Sequence, residues 1–322
     1  MNAVLIIDKP AGFTSHDVVA RVRRILQQRS VGHLGTLDPM ATGVLPLVLG
    51  NMTRLAQFYL KSEKSYEGVI RFGFSTDTYD AEGQPSDALQ EPTLTLDQVR
   101  QLAIKFVGII EQMPPPYSAK KIGGVPAYKL ARKKQQVALQ PVQVEIKQFQ
   151  ILSIENRCAS FQARVTSGTY MRSVAHDMGQ LAGYGAHLQS LRRTAVAEFS
   201  LEDAHTLAEL DQAAQNVKRC QGKDSPKAED PENNSAAGDP EQYDGSAQFP
   251  ADLFVHPRKL LPSMPAVSAT DEMISRIRHG RSVNLPELSR AREVKVFSGQ
   301  RDLLAICTRV AGTLFHPKIV LL

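Results

Sequence analysis

The stretch VGHLGTLDPMATGVLPLVLG, residues 31–50, decides how this chain is read. It holds four glycines, two prolines, a long aliphatic tail and a single carboxylate, Asp38. A solvated loop carries more charge, and a plain core strand carries none. Pro39 biases Asp38 out of the α region, while Gly32, Gly35 and Gly43 permit tight turns around it. VLPLVLG (44–50) reads as a core strand, with its proline near an edge or at a bulge. Two readings of Asp38 stay open at this level. It closes an Asx turn or caps a helix, or it is a working carboxylate on a stiff loop whose small neighbours leave room for a ligand. A lone carboxylate of the second kind can attack or stabilise a sugar carbon as a glycosidic bond breaks. A hydrolase needs a second acid for the leaving group; an isomerase that keeps its leaving group does not.

Working outward, AVLII (3–7) reads as a buried strand, and Thr14 with Asp17 starts a helix whose Val18, Val22, Ile25 and Leu26 fall at helical spacing. SYEGVIRFGF (65–74), VQVEIKQFQILSIE (142–155) and ASFQARVTS (159–167) read as strands. TLDQVRQLAIKFVG (95–108) and YMRSVAHDMGQLAG (170–183) read as amphipathic helices. Strands mixed with helices, without regular βαβ alternation, predict an α+β fold on a mixed or antiparallel sheet. Residues 221–250 carry two lysines against seven acids, a net of −5, and contain no Val, Leu, Ile or Met. Such a segment cannot bury enough apolar surface to offset its ordering entropy, so 213–250 is expected to be an acidic disordered linker. It divides a domain at 1–212 from a strand-rich piece at 251–322, where DEMISRIRHG reads as a helix among the strands VKVF, LLAICTRV and KIVLL.

The chain has 322 residues and a formal charge of +5, so everything outside 221–250 carries +10. That balance fits a polyanionic partner such as nucleic acid, and equally a merely basic soluble protein. Three scattered cysteines without a CxxC pair argue against a disulfide framework or a zinc site, and fit a reducing compartment. The start MNAVLIIDKPAG has no basic leader, and its apolar run ends at Asp8; the expectation is a cytoplasmic protein without a membrane segment. GxxxxGK[ST], GxGxxG, HExxH and GxSxG are all missing, which removes the usual nucleotide, zinc and serine-hydrolase readings. DTYDAEG (77–83) has the wrong acid spacing for a calcium loop.

GHLGTLDPMATGVLPLVLG closely resembles the catalytic motif of the bacterial tRNA pseudouridine-55 synthases, the TruB family. Further matches follow in order: LIIDKPAGFTSHDVV, KSYEGVIRFGFSTDTYDAEG, PPPYSAKKIGGVPAYKLAR, SGTYMRSVAHDMG and GAHLQSLRRTAVAEF, together covering essentially the whole N-terminal domain. The C-terminal piece resembles the family's PUA-type RNA-binding module more loosely. The resemblance implies an enzyme that detaches uracil from C1′ of a uridine in the tRNA T-arm loop, rotates it and reattaches it through C5. It implies neither cofactor nor metal, since nothing is oxidised and no water is consumed, and no obligate protein partner.

Residue by residue, the resemblance makes Asp38 the catalytic aspartate and Arg172 its partner. It makes Tyr66 the aromatic that packs on the base, Leu191 an apolar pocket wall, and His33 the residue that fills the space the base vacates. Lys9, Asp80 and Tyr170 take supporting places. By themselves, Tyr66 and Leu191 are ordinary core residues, His33 an ordinary loop histidine, and Arg172 a surface arginine at a helix start, where the macrodipole disfavours cations. The basic segment 118–136, with Lys120, Lys121, Arg132, Lys133 and Lys134, is suited to gripping RNA phosphates. An arginine within ~4–6 Å is expected to lower the Asp38 pKa. The alternatives are a non-catalytic RNA-binding protein, a guide-RNA-dependent pseudouridine synthase and a glycosidase. The first has no need of Asp38, Tyr66 and Arg172 together. The second is disfavoured by the first motif's nearness to residue 1 and by the basic segment, and the third lacks a motif-supported second acid.

Overall fold

A computed structural model describes residues 1–118, 121–122, 125–126, 140–223 and 249–321. Its strands are β1 (Ala3–Lys9), β2 (Val31–His33), β3 (Thr42–Leu49), β4 (Lys64–Phe72), β5 (Gly108–Gln112), β6 (Lys121–Ile122), β7 (Val125–Pro126), β8 (Val142–Glu155), β9 (Cys158–Val165), β10 (Ala186–Val196), β11 (Phe199–Ser200) and β12 (Ala204–His205), followed by β13 (Ala266–Ser268), β14 (Val283–Asn284), β15 (Glu293–Ser298), β16 (Asp302–Ala311) and β17 (Leu314–Val320). The helices are α1 (Ser15–Ile25), the single turn α2 (Ala56–Tyr59), α3 (Leu96–Ile104), α4 (Met171–Ala182), α5 (Leu207–Lys223) and α6 (Asp271–Arg278).

Ten strands make one sheet in the order β12-β1-β3-β10-β4-β9-β8-β5, with β2 added to β3 and β11 to β10. Within this sheet, among the described residues, only β1–β12 and β10–β3 pair in parallel, so the fold is the expected α+β type on a mixed sheet. The parallel β10–β3 contact covers Arg192↔Thr42 and Arg193↔Gly43 and joins the two halves of the sheet. One face carries α1, α3 and α4 over a core that includes Leu5, Leu45, Leu47, Phe72, Phe161 and Val174. Both helix starts are set by the sequence: Thr14 and Asp17 close a capping box, as do Thr95 and Gln98. Gly183 ends α4 in the left-handed conformation, φ 80°.

Three expectations need correcting. Pro46 is neither at an edge nor at a bulge but in a central strand, paired with Ile6 of β1. It is tolerated because its nitrogen falls between Gly43 (paired to β10) and Leu47 (paired to β2), where no ladder donor is needed, while its carbonyl still accepts from Leu34 N at 2.9 Å. The helix read at 95–108 stops at Ile104, and Gly108, φ 104°, opens β5. Residues 213–223, assigned to the linker by composition, continue α5, which packs Leu210 and Ala214 into the core beside α1. Residues 224–248 of that linker lie outside the described residues.

The C-terminal residues form a five-stranded sheet, β13-β15-β16-β17-β14, with α6 against it and a core of its own. It is β-rich as expected, and it is firmly docked. A second core cluster runs from Val4, Ile6, Val48 and Phe199 of the large sheet to Leu260, Phe297, Ile306 and Leu321. Asn2 Nδ2 donates to the Leu321 carbonyl at 2.7 Å across the same junction. Among the described residues no helix is long and apolar enough to cross a membrane.

Candidate active site

The chain turns at 34–41 between β2 and β3, and three buried cations hold that turn. Arg193 on β10, with no exposed surface, donates from Nε to the Val44 carbonyl at 2.8 Å, from Nη1 to Thr36 at 3.2 Å and from Nη2 to Gly35 at 3.0 Å. Gly43, φ 99°, lets β3 pass Arg193 closely: a Cβ there would lie 2.2 Å from the Arg193 carbonyl oxygen. Lys9, also fully buried, donates from Nζ to the carbonyls of Pro10 (2.9 Å), Phe13 (2.6 Å) and Pro39 (3.1 Å). Desolvation lowers its pKa to about 8, opposed by the nearby Asp38 charge, so it keeps its proton at neutral pH. Ser15 completes the frame, its hydroxyl accepting from Leu37 N at 2.8 Å and donating back to the Leu37 carbonyl at 3.2 Å.

The third cation is Arg172, in the first turn of α4 and 4 % exposed. Burial excludes the surface-arginine reading, and the macrodipole penalty is met by two carboxylates and two carbonyls. Nη2 donates to Asp38 Oδ1 at 3.1 Å and to the Tyr117 carbonyl at 2.9 Å. Nε approaches Asp38 Oδ2 to 2.9 Å as an ion pair, without the alignment of a hydrogen bond. Nη1 donates to the Thr78 carbonyl at 3.1 Å and lies 3.4 Å from Asp80 Oδ2. Asp80, 3 % exposed, is itself fixed, its Oδ1 accepting from Thr78 Oγ1 at 2.6 Å and Glu82 N at 3.1 Å.

Asp38 caps no helix among the described residues; its side chain meets Arg172 and a cavity of about 330 Å³. Tyr66, Leu191, His33, Tyr170, Arg172 and the α2 residues Ala56 and Tyr59 line that cavity. The resemblance-based set Asp38, Arg172, Tyr66, Leu191, Tyr170 and His33 therefore meets in one pocket, with Lys9 and Asp80 supporting it from behind. A second cavity, about 630 Å³, lies across Asp38 and is lined by Ser15, His16, Pro39, Asp80, Glu82 and Ser118.

The expected downward shift of the Asp38 pKa is not the net result. Burial raises it first, Arg172 pulls it down, and Asp80 pushes it up again; the balance is upward. Because 35 % of the side chain still faces the open pocket, solvent relieves part of that burial until a ligand enters. Burial raises the Tyr66 phenol, against the Arg193 guanidinium, so it stays protonated. Burial lowers His33, whose Nδ1 accepts from Gly35 N at 3.3 Å; it is a neutral ring rather than a cation. Among the described residues no group of three His, Cys, Asp or Glu is placed to hold a metal ion.

Arg193 escaped the sequence reading. Its only signal was its place in SLRRTAV, where alternation on β10 turns Leu191 and Arg193 to the same side. Lys120, Arg132, Lys133 and Lys134 lie outside the described residues, and Lys121 is described only as backbone in the β6–β7 pair.

Fold and pocket together define a class of site: one carboxylate, gripped by one buried guanidinium, on the wall of a cavity with room for a flat ring. The model for "TruB family pseudouridylate synthase (N terminal domain)" matches residues 23–171, and that for "tRNA pseudouridylate synthase B C-terminal domain" matches 172–227. A tRNA pseudouridine synthase B of Solibacter usitatus is 44 % identical over all of both chains. That of Burkholderia mallei is 34 % identical over 99 % of this chain and 97 % of its own. A solved structure of a Cbf5-Nop10-Gar1 complex aligns with TM-score 0.67 at 25 % identity, over 99 % of this chain and 85 % of the other. The chain belongs to the TruB family of pseudouridylate synthases.

Proposed function

We propose that the chain isomerises uridine 55 in the T-arm loop of tRNA to pseudouridine, with Asp38 as the catalytic carboxylate. The observation that carries this is the Asp38–Arg172 pair on the wall of the 330 Å³ cavity, beside Tyr66 and Leu191. Full-length identity of 44 % to a tRNA pseudouridine synthase B supports tRNA as the substrate, and the motif resemblance supports position 55.

The flipped uracil packs on Tyr66 and Leu191 while Arg172 keeps the Asp38 carboxylate aimed into the pocket. The N1–C1′ bond breaks, the base turns, and C5 bonds to C1′. The C5 proton then leaves to a base and N1 takes up a proton, so atoms and electrons balance without oxidant, reductant or water. Nothing in this sequence calls for a cofactor. Flipping the base costs a few kcal/mol, recovered by pocket contacts and by phosphate contacts from the 118–136 segment. The enzyme works alone on tRNA, in the cytoplasm.

Asp38→Asn tests the reading. The near-isosteric amide leaves the pocket in place and removes the group that acts on sugar or base. Tritium release from C5-labelled uridine should vanish while tRNA binding persists, and the parent should release tritium without free uracil. Parental tritium release by the variant would reduce Asp38 to a loop residue, and free uracil from the parent would make the protein a glycosidase.

A further inference from the structure

One wall of the cavity is α2, a single helical turn, and Leu60 just after it is 69 % exposed. So short a helix has no stability of its own. Tyr59, 3 % exposed, anchors it: its ring meets Phe199 at 5.5 Å, and its hydroxyl donates to Glu198 Oε1 at 2.6 Å. Glu198 stands in the two-residue turn joining β10 to β11, where Ala197 adopts φ 51°. The same Oε1 accepts from the backbone N–H of Leu261 at 2.8 Å.

Leu261 belongs to the C-terminal unit and is itself left-handed, φ 50°. Its neighbours are gripped from the other side: Lys295 Nζ, on β15, donates to the carbonyls of Leu260 (2.6 Å) and Arg258 (3.2 Å). One carboxylate oxygen thus joins three things, namely the turn at the end of β10, the α2 wall of the pocket and the segment 258–261. β10 also carries Leu191 and Arg193, so the turn and the pocket share a strand.

We propose that Glu198 is a positioning residue that couples docking of the C-terminal unit to the shape of the base pocket, through Leu261 N–H and the Tyr59 hydroxyl. It touches no substrate; it sets where α2 closes on the flipped base. This rests on the reading of the cavity as the base pocket. A C-terminal unit seated on RNA in the wrong orientation would pull on 258–261, loosen the shared oxygen and leave the wall unset.

The test compares Glu198→Ala, Glu198→Gln and Tyr59→Phe in the full chain by single-turnover tritium release, tRNA affinity and thermal unfolding. Glu198→Ala removes both hydrogen bonds and should slow the chemical step about tenfold, with tRNA affinity unchanged. Glu198→Gln keeps a carbonyl oxygen in place and should restore most of the rate. Tyr59→Phe should slow the step by a smaller factor with little change in unfolding temperature. A parental single-turnover rate for folded Glu198→Ala overturns the proposal, whatever its unfolding temperature. If that variant does not fold, a parental rate for Tyr59→Phe overturns it instead. An inactive parent would be a failure of the proposed function, whereas an active parent with indifferent variants would be a failure of this coupling alone.

Discussion

Replacing Arg172 with Lys keeps the charge and removes the fork. Arg172 makes five contacts with four groups: two with Asp38, at 3.1 and 2.9 Å, one with Asp80 at 3.4 Å, and one each with the carbonyls of Thr78 and Tyr117. An ammonium has three N–H groups radiating from one point, so at least two of the five contacts are lost, and with them the planar fork that matches the Asp38 carboxylate. A lost hydrogen bond to a charged group costs about 1.5–3 kcal/mol. If one of the two Asp38 contacts goes and its orientation matters only to chemistry, turnover falls by roughly 10- to 100-fold. The assay is single-turnover tritium release beside tRNA binding; binding, carried by phosphate contacts, should hardly change. A further sign follows from the electrostatics. Arg172 is what opposes the upward push of burial on Asp38, so a weaker partner moves the acid limb of the rate profile to higher pH. Near-parental turnover with an unmoved acid limb would refute the pairing as the source of activity.

Asp38→Asn should unfold at a higher temperature than the parent at neutral pH. A carboxyl whose folded pKa lies above its unfolded value binds its proton more tightly when folded, so the parent loses stability as it ionises. The advantage of Asn should therefore shrink as pH falls and vanish below about 4 in thermal scans, and a constant gap would contradict the upward shift. Arg193→Met leaves the carbonyls of Val44, Thr36 and Gly35 without this donor, the first of them buried, and should cost about 1–3 kcal/mol in denaturant unfolding; an unchanged midpoint would show that the turn holds itself. Replacing Lys120, Lys121, Arg132, Lys133 and Lys134 with Gln should weaken tRNA binding and flatten its salt dependence, and an unchanged slope would move the phosphate contacts elsewhere.

Local patterns were enough to settle the helix starts, most strands of the large sheet and the singling out of Asp38. Capping and alternation act over a few residues, and one acid among glycines and aliphatics stands out in any reading. Family motifs then named Arg172, Tyr66, Leu191, Tyr170, Lys9, Asp80 and His33, which the fold gathers around one turn. Three things waited for the tertiary structure. Pro46 sits in a central strand because the gap beside it belongs to β2 and β10, which arrive from distant parts of the chain. Residues 213–223 are helical because α5 finds α1 to pack against, a contact that composition does not register. Arg193 and Glu198 look like ordinary charges in sequence. What makes the first a clip for the Asp38 turn and the second a joint between two units is which carbonyls and N–H groups the fold brings within 3.2 Å of them. Hydrogen bonding acts through space, and local spacing carries no information about partners some sixty to a hundred and sixty residues away.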